Sequence, residues 1–181
     1  ELNIKGVSFP SEKQRFYPGK NLASQTIGLV AFKDDVRTGR YGLEKYYNDI
    51  LGRGGDALYI NFFAEVFSNI SSTLFKNKDG DGDIVTTIEP TVQQYVEEEL
   101  GNIMKKWKSD SAGAIVMNPK DGSIYAMAFA PGFDPNNLKD VKDIKVLSNP
   151  LVENVYEFGS VIKPLVMAGA LDMGVVTAET S

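Results

Sequence analysis

The chain has 181 residues and a formal net charge of −5; 43% of its residues are hydrophobic, which suffices for a real core in one ordinary domain or two small ones. The acidic balance and the scattered basic residues argue against nucleic-acid binding through phosphate contacts. The sequence has neither cysteine nor histidine, which excludes disulfides, thiolate catalysis and a Ser-His-Asp triad within it. Proton transfer at a serine would therefore depend on Lys, Asp, Glu or Tyr.

The sequence also lacks the signals of membrane insertion and export. No stretch approaches the roughly 18–20 uninterrupted apolar residues of a membrane span, and no signal peptide opens the chain. The first residues are typical of the interior of a domain, so we expect the chain to be a piece of a longer protein. The absence of cysteine fits an exported protein.

The first part of the chain is predicted to be mostly extended. Residues 4–32 are rich in β-forming residues interrupted by turn signals. Within them, residues 22–32 are predicted to form a strand in which Gly28 can supply a bulge. Residues 33–40 are predicted to be a polar loop. Arg15 is predicted to belong to an ion pair on the surface or between domains.

Two helices and an acidic loop are predicted next. Apolar residues at helical spacing predict a short helix over residues 42–51 and an amphipathic helix over residues 58–74. The second helix packs on its own domain or docks on a partner, and a membrane face is the weaker alternative. Residues 77–83 resemble the start of an EF-hand calcium loop, but the twelfth position is Ile88 instead of glutamate, so an acidic turn is the preferred interpretation.

The clearest secondary structure is predicted between residues 84 and 130. Residues 84–88 are predicted to form a strand, and an amphipathic helix is predicted from Pro90 to about Lys108. A hairpin is predicted from Ala112–Met117 and Ile124–Ala130, joined by turn-forming residues. Because both strands are apolar on both faces, we expect helices to cover the hairpin on both sides.

The stretch with the strongest chemical signal is residues 156–164. It is predicted to turn tightly at Gly159 and to begin a helix, with Ser160 at its start and Lys163 one turn later. Residues three apart share a helix face, and the N–H groups at a helix start stabilise a developing oxyanion. This is the geometry of a serine nucleophile with a lysine base. The apolar residues beyond predict a helix buried on all sides and ended by Gly174.

The serine and the lysine have a second interpretation, in which Ser160 only caps the helix and Lys163 extends to the surface. The Ser-x-x-Lys pattern alone is weak, because chance supplies about one such pair in a chain of this composition. A lysine on a buried apolar helix is unfavourable unless it is paired or neutral, and a neutral amine is what a base requires. The residues alone leave the two interpretations about equal.

Beyond single motifs, the chain resembles class B penicillin-binding proteins in five blocks that follow one another in the family's order. The blocks are Glu12-x-x-Arg15-x-Tyr17-Pro18, similar to the family's R-x-Y-P block; Gly42-Leu43-Glu44, similar to its G-L-E block; Thr87-Ile88-Glu89 with Gln93, similar to T-I-D-x-x-x-Q; residues 114–128, similar to the first catalytic-domain hairpin; and residues 156–164, similar to the active-site serine block. One departure is Phe158, where the family commonly has proline.

The resemblance implies an α+β fold in two parts. Residues 1–83 would be the C-terminal part of a β-rich, non-catalytic pedestal module. Residues 84–181 would be the N-terminal part of a serine-lysine transpeptidase domain, with an antiparallel sheet flanked by helices. Arg15 and Glu44 would belong to an interaction network that braces the pedestal. The family's membrane anchor would lie upstream, and its Ser-x-Asn and Lys-Thr-Gly motifs downstream.

For function, the resemblance implies a peptidoglycan D,D-transpeptidase. Ser160 would accept the acyl group from a peptidoglycan stem peptide, Lys163 would be its base, and the Ser160 backbone N–H would be one half of the oxyanion hole. β-Lactam antibiotics would inhibit the enzyme covalently, and no cofactor or metal is expected. Expected partners are a membrane glycosyltransferase or other cell-wall synthesis proteins, at the outer face of the bacterial cytoplasmic membrane. The 181-residue chain alone is expected to be inactive.

Two other classes of function stay open at this point. One is a β-lactamase or β-lactam sensor of the same superfamily, which the pedestal blocks disfavour. The other is a non-catalytic scaffold of a cell-wall synthesis complex, which would bind its partner through the pedestal and the helix predicted over residues 58–74.

Overall fold

The computed structural model describes residues 14–34, 36–52 and 82–180. These ranges contain helices and two small antiparallel sheets, which confirms the α+β class predicted from the sequence. The helix predicted over residues 58–74 and most of the acidic loop over residues 77–83 lie outside the described residues.

The first part of the chain contains a two-stranded sheet and three short helices: α1 Ser24–Ile27, β1 Leu29–Lys33, β2 Val36–Tyr41, α2 Gly42–Tyr46 and α3 Asn48–Leu51. Strands β1 and β2 pair antiparallel, with a register irregularity between Leu29 and Val30. The adjacent Gly28 has a φ of +79°, and a Cβ there would lie 1.8 Å from the Tyr41 carbonyl oxygen. Only glycine fits this close approach.

The strand predicted over residues 22–32 is wrong in its first half, which forms α1. The reason is tertiary: the Ser24 hydroxyl accepts a hydrogen bond from the Phe133 N–H at 3.2 Å, and the Gln25 amide donates to the Pro131 carbonyl at 2.8 Å. Both Ser24 and Gln25 are buried. These contacts with distant residues override a weak local preference for extended structure.

The loop predicted over residues 33–40 is also wrong, because most of it forms β2. Backbone pairing with β1 defines this strand, so its polar side chains do not prevent it. The helix predicted over residues 42–51 is confirmed, although Tyr47 divides it into α2 and α3.

The second part of the chain contains a long helix, a hairpin and two further helices: α4 Pro90–Trp107, β3 Ala112–Met117, β4 Ile124–Ala130, α5 Pro150–Glu153 and α6 Lys163–Asp172, with 3₁₀ turns at Leu138–Asp140, Ile144–Leu147 and Gly159–Ile162. The helix from Pro90 and both hairpin strands are confirmed. Residues 84–88, predicted as a strand, form no regular strand. They are nevertheless tied to β4, because the Thr87 hydroxyl bonds both the N–H and the carbonyl of Ile124.

Helix α4 covers one face of the hairpin and is joined to β4 by a side chain. Gln93 is fully buried; its amide oxygen accepts from the Met127 N–H at 2.9 Å and its amide nitrogen donates to the Met127 carbonyl at 3.2 Å. The opposite face is only partly covered: Leu151 lies over Gly113, whereas Ile115 is 42% exposed. Our prediction of helices on both sides is therefore wrong for much of that face within the described ranges.

The buried core joins the two parts of the chain. It is formed by Tyr17 and Leu29 from the first part and by Phe133 and Leu147 from the second. The Ala23 N–H also donates to the Glu97 carboxylate of α4 at 2.8 Å. The core therefore crosses the boundary predicted between residues 83 and 84, and the division into two domains stays a prediction.

Candidate active site

Ser160 and Lys163 lie on a tight turn that leads into α6. Gly159 adopts a φ of +55°, as the predicted turn requires. Residues Gly159–Ile162 form a 3₁₀ turn, and the Lys163 N–H donates to the Ser160 carbonyl at its end. Residues three apart nearly eclipse in a 3₁₀ turn. The two side chains therefore emerge on the same side of the backbone, as an activated serine requires.

Helix α6 is exposed around its whole circumference, which contradicts the prediction that it is buried on all sides. Leu165 and Val166 are 67% and 66% exposed. The reason is that no helix or strand of the described ranges covers it; its main contact is with the preceding 3₁₀ turn. The helix ends at Asp172, and Gly174 has a φ of +66°, so glycine terminates it as predicted.

The loop before Ser160 is held by α5. Asn149 caps this helix, since its side chain accepts a hydrogen bond from the Leu151 N–H at 3.2 Å. Further along, the Tyr156 hydroxyl donates to the Pro150 carbonyl at 3.1 Å, and its ring lies 6.2 Å from that of Phe158. Sequence reasoning missed both contacts. An Asn-Pro pair followed by glutamate is a recognisable helix start, whereas nothing in the sequence indicates the partner of the tyrosine hydroxyl.

Arg15 and Glu44, which the resemblance places in one interaction network, form an ion pair. The Arg15 Nε atom lies 2.6 Å from Glu44 Oε1, and the glutamate side chain is 4% exposed while the arginine side chain is 41% exposed. A buried carboxylate requires such a partner. The pair joins the loop before α1 to α2.

Tyr17 lies beside this ion pair and is almost fully buried. Its hydroxyl oxygen accepts a hydrogen bond from the Val30 N–H at 2.9 Å. Burial, with a smaller contribution from the negative charge of Glu44, raises the pKa of Tyr17 from 10.0 to about 12. The hydroxyl thus remains neutral over the physiological range, and it acts as a structural hydrogen-bonding group.

Residues 14–34, 36–52 and 82–180 contain no group of three acidic side chains that could hold a metal ion. The same ranges contain no helix long and apolar enough to cross a membrane. Most of the acidic loop predicted from residue 77 falls outside them.

Comparison with known proteins gives matches to one family. Residues 112–181 match the model described as the penicillin binding protein transpeptidase domain. The relatives below align over nearly the whole chain, and the resemblance to class B penicillin-binding proteins drawn from the five blocks is confirmed.

Three relatives illustrate the match. The chain is 32% identical over 94% of its length to stage V sporulation protein D of Bacillus subtilis. It is 34% identical over 96% of its length to the probable peptidoglycan D,D-transpeptidase PbpC of Pseudomonas aeruginosa. It is 29% identical over 97% of its length to the peptidoglycan D,D-transpeptidase FtsI of Escherichia coli. The chain spans 26%, 30% and 29% of these relatives, which is less than a third of each.

A solved structure shares the fold. Penicillin-binding protein 3 of Mycobacterium tuberculosis, in its apo form, superposes on 92% of this chain with a TM-score of 0.64 at 23% sequence identity. The aligned region is 33% of that protein. The arrangement of helices and antiparallel strands described above is therefore that of a penicillin-binding protein.

Proposed function

We propose that the protein to which this chain belongs is a peptidoglycan D,D-transpeptidase, with Ser160 as its nucleophile and Lys163 as its base. The observation that supports the proposal is the 3₁₀ turn after Gly159. Residues three apart nearly eclipse in such a turn, so the Ser160 and Lys163 side chains leave the same side of the backbone. That turn lies within the residues that match the transpeptidase model. Several relatives are named as D,D-transpeptidases.

The proposed reaction is a double acyl transfer. Lys163 acts as the general base and takes the proton of Ser160 as the serine hydroxyl oxygen attacks the carbonyl of the D-Ala-D-Ala bond in a stem peptide. The Ser160 N–H stabilises the oxyanion, and D-Ala leaves as its nitrogen is protonated. An amine of a neighbouring peptidoglycan strand then attacks the ester, forms the cross-link and releases Ser160. A β-lactam acylates the same oxygen, but its leaving nitrogen stays tethered.

The proposed domain division assigns residues 1–83 to a pedestal module and residues 84–181 to the transpeptidase domain. The Arg15–Glu44 pair supports a braced pedestal. The exposed apolar surface of α6 supports a domain that continues beyond this chain, because a helix that is apolar all round is normally buried in a larger core. We propose that further parts of the same domain cover α6.

The proposed location is the outer face of the bacterial cytoplasmic membrane, with an anchor outside residues 1–181. The proposed partners are a membrane glycosyltransferase or other proteins of cell-wall synthesis. This context follows from the proposed substrate, because the stem peptides of peptidoglycan are cross-linked outside that membrane.

Covalent labelling tests the proposed function. We expect the complete protein to gain the mass of one penicillin, at Ser160, and the Ser160→Ala variant to gain none. Ser148→Ala, which removes a serine upstream of α5, is the matched control and should label like the wild type. A folded wild-type protein without an adduct would contradict the proposal. Rapid hydrolysis of the adduct with turnover would instead indicate a β-lactamase.

A further inference from the structure

Asn149 is a buried polar residue that the proposed mechanism does not use. It is 3% exposed and immediately precedes α5, upstream of Ser160. We infer that Asn149 and Tyr156 are positioning residues for Ser160, which link its turn to α1 and to the hairpin sheet. The inference rests on the proposed function, and neither residue is assigned contact with substrate.

Both ends of the Asn149 amide are used. Its oxygen accepts from the Leu151 N–H at 3.2 Å, so it fixes the first turn of α5. Its nitrogen lies 3.3 Å from the Thr26 hydroxyl oxygen and 3.3 Å from the Met127 sulfur. The Asn149 N–H in turn donates to the Glu153 carboxylate at 2.9 Å. One residue therefore anchors the start of α5 to two other elements.

Thr26, in α1, connects the first part of the chain to Asn149. Its hydroxyl donates to the Met127 carbonyl at 2.9 Å and accepts from the Asn149 amide. The hydroxyl therefore donates to the backbone of β4 and accepts from the residue that caps α5. Valine has nearly the same shape but has no hydroxyl, so it would remove both bonds while it fills the same space.

Packing contributes little on one side of α5. An open groove of about 700 Å³ lies between it and the region of α2, with Tyr46 and Tyr47 on one wall and Val152 and Glu153 on the other. Side chains that face such a space lack the van der Waals contacts of a close-packed interface. On this side, the hydrogen bonds of Asn149 hold α5 where packing does not, whereas Leu151 packs against the hairpin on the other side.

Tyr156 connects α5 to the 3₁₀ turn that contains Ser160. Its hydroxyl donates to the Pro150 carbonyl at 3.1 Å, and the same carbonyl accepts from the Asn154 N–H at 3.2 Å. The Tyr156 ring lies against Phe158, directly before the Gly159 turn. The carbonyl of the first residue of α5 thus binds the loop that leads to the nucleophile at its start, Asn154, and at its middle, Tyr156.

The expected consequence is a loss of alignment of the serine oxygen, with little loss of ligand affinity. Misplacement of a nucleophile by about 1 Å reduces reaction rates by up to about a hundredfold. Noncovalent binding of a β-lactam depends mainly on the surfaces around the site, which this link does not form. The rate constant of acylation should therefore fall, while the dissociation constant of the initial complex stays the same.

Stopped-flow acylation of the complete protein with a fluorescent penicillin separates these two constants. We expect Tyr156→Phe and Thr26→Val each to lower the acylation rate constant about tenfold or more, with the dissociation constant within about twofold of the wild type. Thr26→Ser retains the hydroxyl and should restore the rate. Tyr95→Phe is the matched control, because Tyr95 is an exposed tyrosine on α4, and it should react at the wild-type rate.

The double variant tests whether Thr26 and Tyr156 act through one chain of contacts. If they do, Thr26→Val combined with Tyr156→Phe lowers the rate constant no further than the stronger single variant. A rate that falls in only one single variant, or effects that multiply in the double variant, overturns the inference. Wild-type rates in both variants also overturn it, and the adduct at Ser160 then leaves the proposed function standing. A folded wild type that forms no adduct contradicts the proposed function itself.

Discussion

The buried junction between the two parts of the chain contains Tyr17, Glu44 and Gln93. It differs from helix α6 in the kind of residue that each buries or exposes. The junction encloses a carboxylate and an amide: Glu44 is 3% exposed and Gln93 is fully buried. Helix α6 instead exposes aliphatic side chains such as Leu165 and Val166 over about two-thirds of their surface. Residue type alone would predict the opposite arrangement.

This difference shows that partners decide burial in this structure. Every buried side-chain nitrogen or oxygen atom of the described ranges has a hydrogen-bond partner, so the polar groups of the junction are satisfied without water. No element of those ranges covers the aliphatic side chains of α6. The chain spans less than a third of its relatives, and we propose that the cover comes from elsewhere in the protein.

The largest expected effect is a fall in the rate of acylation when the amine at the start of α6 is removed. We predict that Lys163→Met lowers the acylation rate of the complete protein on the order of 10³-fold, because the proton of Ser160 then has no acceptor. The melting temperature should change little, since methionine fills similar space. Stopped-flow acylation and thermal denaturation measure the two effects. Exposed Lys145→Met is the control, and wild-type acylation by the Lys163 variant would refute the assigned role.

A charge on α6 tests whether the helix is covered. We predict that Val166→Asp destabilises the complete protein by about 3 kcal/mol or more, because the new carboxylate is buried without a partner. Val155→Asp is the matched control, since Val155 is 100% exposed in a loop, and it should leave the melting temperature unchanged. Equal melting temperatures for the two variants would show that α6 remains solvent-exposed in the complete protein.

The ion pair of the junction should respond asymmetrically to loss of its two members. We predict that Arg15→Met destabilises the protein by roughly 2–3 kcal/mol, because it leaves the buried Glu44 carboxylate unpaired. Glu44→Gln should cost only about 1 kcal/mol, because the amide oxygen still accepts from Arg15 and the half-exposed guanidinium is solvated. Thermal denaturation of both variants measures the difference. Equal losses would indicate that the pair contributes through packing alone.

A further prediction concerns the Tyr17 hydroxyl. We predict that Tyr17→Phe costs about 1–2 kcal/mol near neutral pH, because the Val30 N–H loses its partner. In the wild type, the pKa of Tyr17 is about 12 in the folded protein and 10.0 when unfolded. The folded state holds the proton more tightly because a buried phenolate beside Glu44 is unfavourable, so the free energy of unfolding is highest below pH 10 and falls as the pH rises to 12. Denaturation between pH 9 and 12 should show a shallower loss in the variant.

Local patterns predicted the parts of the fold that local interactions determine. The bounds of the hairpin strands and of α4 follow from runs of apolar residues, a Pro-initiated helix and turn residues, none of which needs a distant partner. The turn at Gly159 and the stop at Gly174 were predictable for the same reason, since each requires a positive φ that glycine tolerates.

The errors arose where distant residues decide the structure. Helix α1 depends on the bond between Ser24 and Phe133, and β2 depends on pairing with β1 in spite of its polar sequence. The link from Thr26 through Asn149 to Tyr156 has no periodicity at all. The roles of Ser160 and Lys163 were identified from the sequence pattern and the family resemblance, and they remain a prediction that awaits the labelling experiment.

Gln93 has a consequence for how the hairpin sheet can grow. By bonding both the N–H and the carbonyl of Met127, its amide occupies backbone groups on the outer edge of β4 that another strand would need. Thr87 does the same at Ile124. Proteins that protect a strand edge in this way avoid unwanted strand addition, including self-association. A strand that joined this sheet would therefore have to pair with β3, so the sheet could be extended in one direction only.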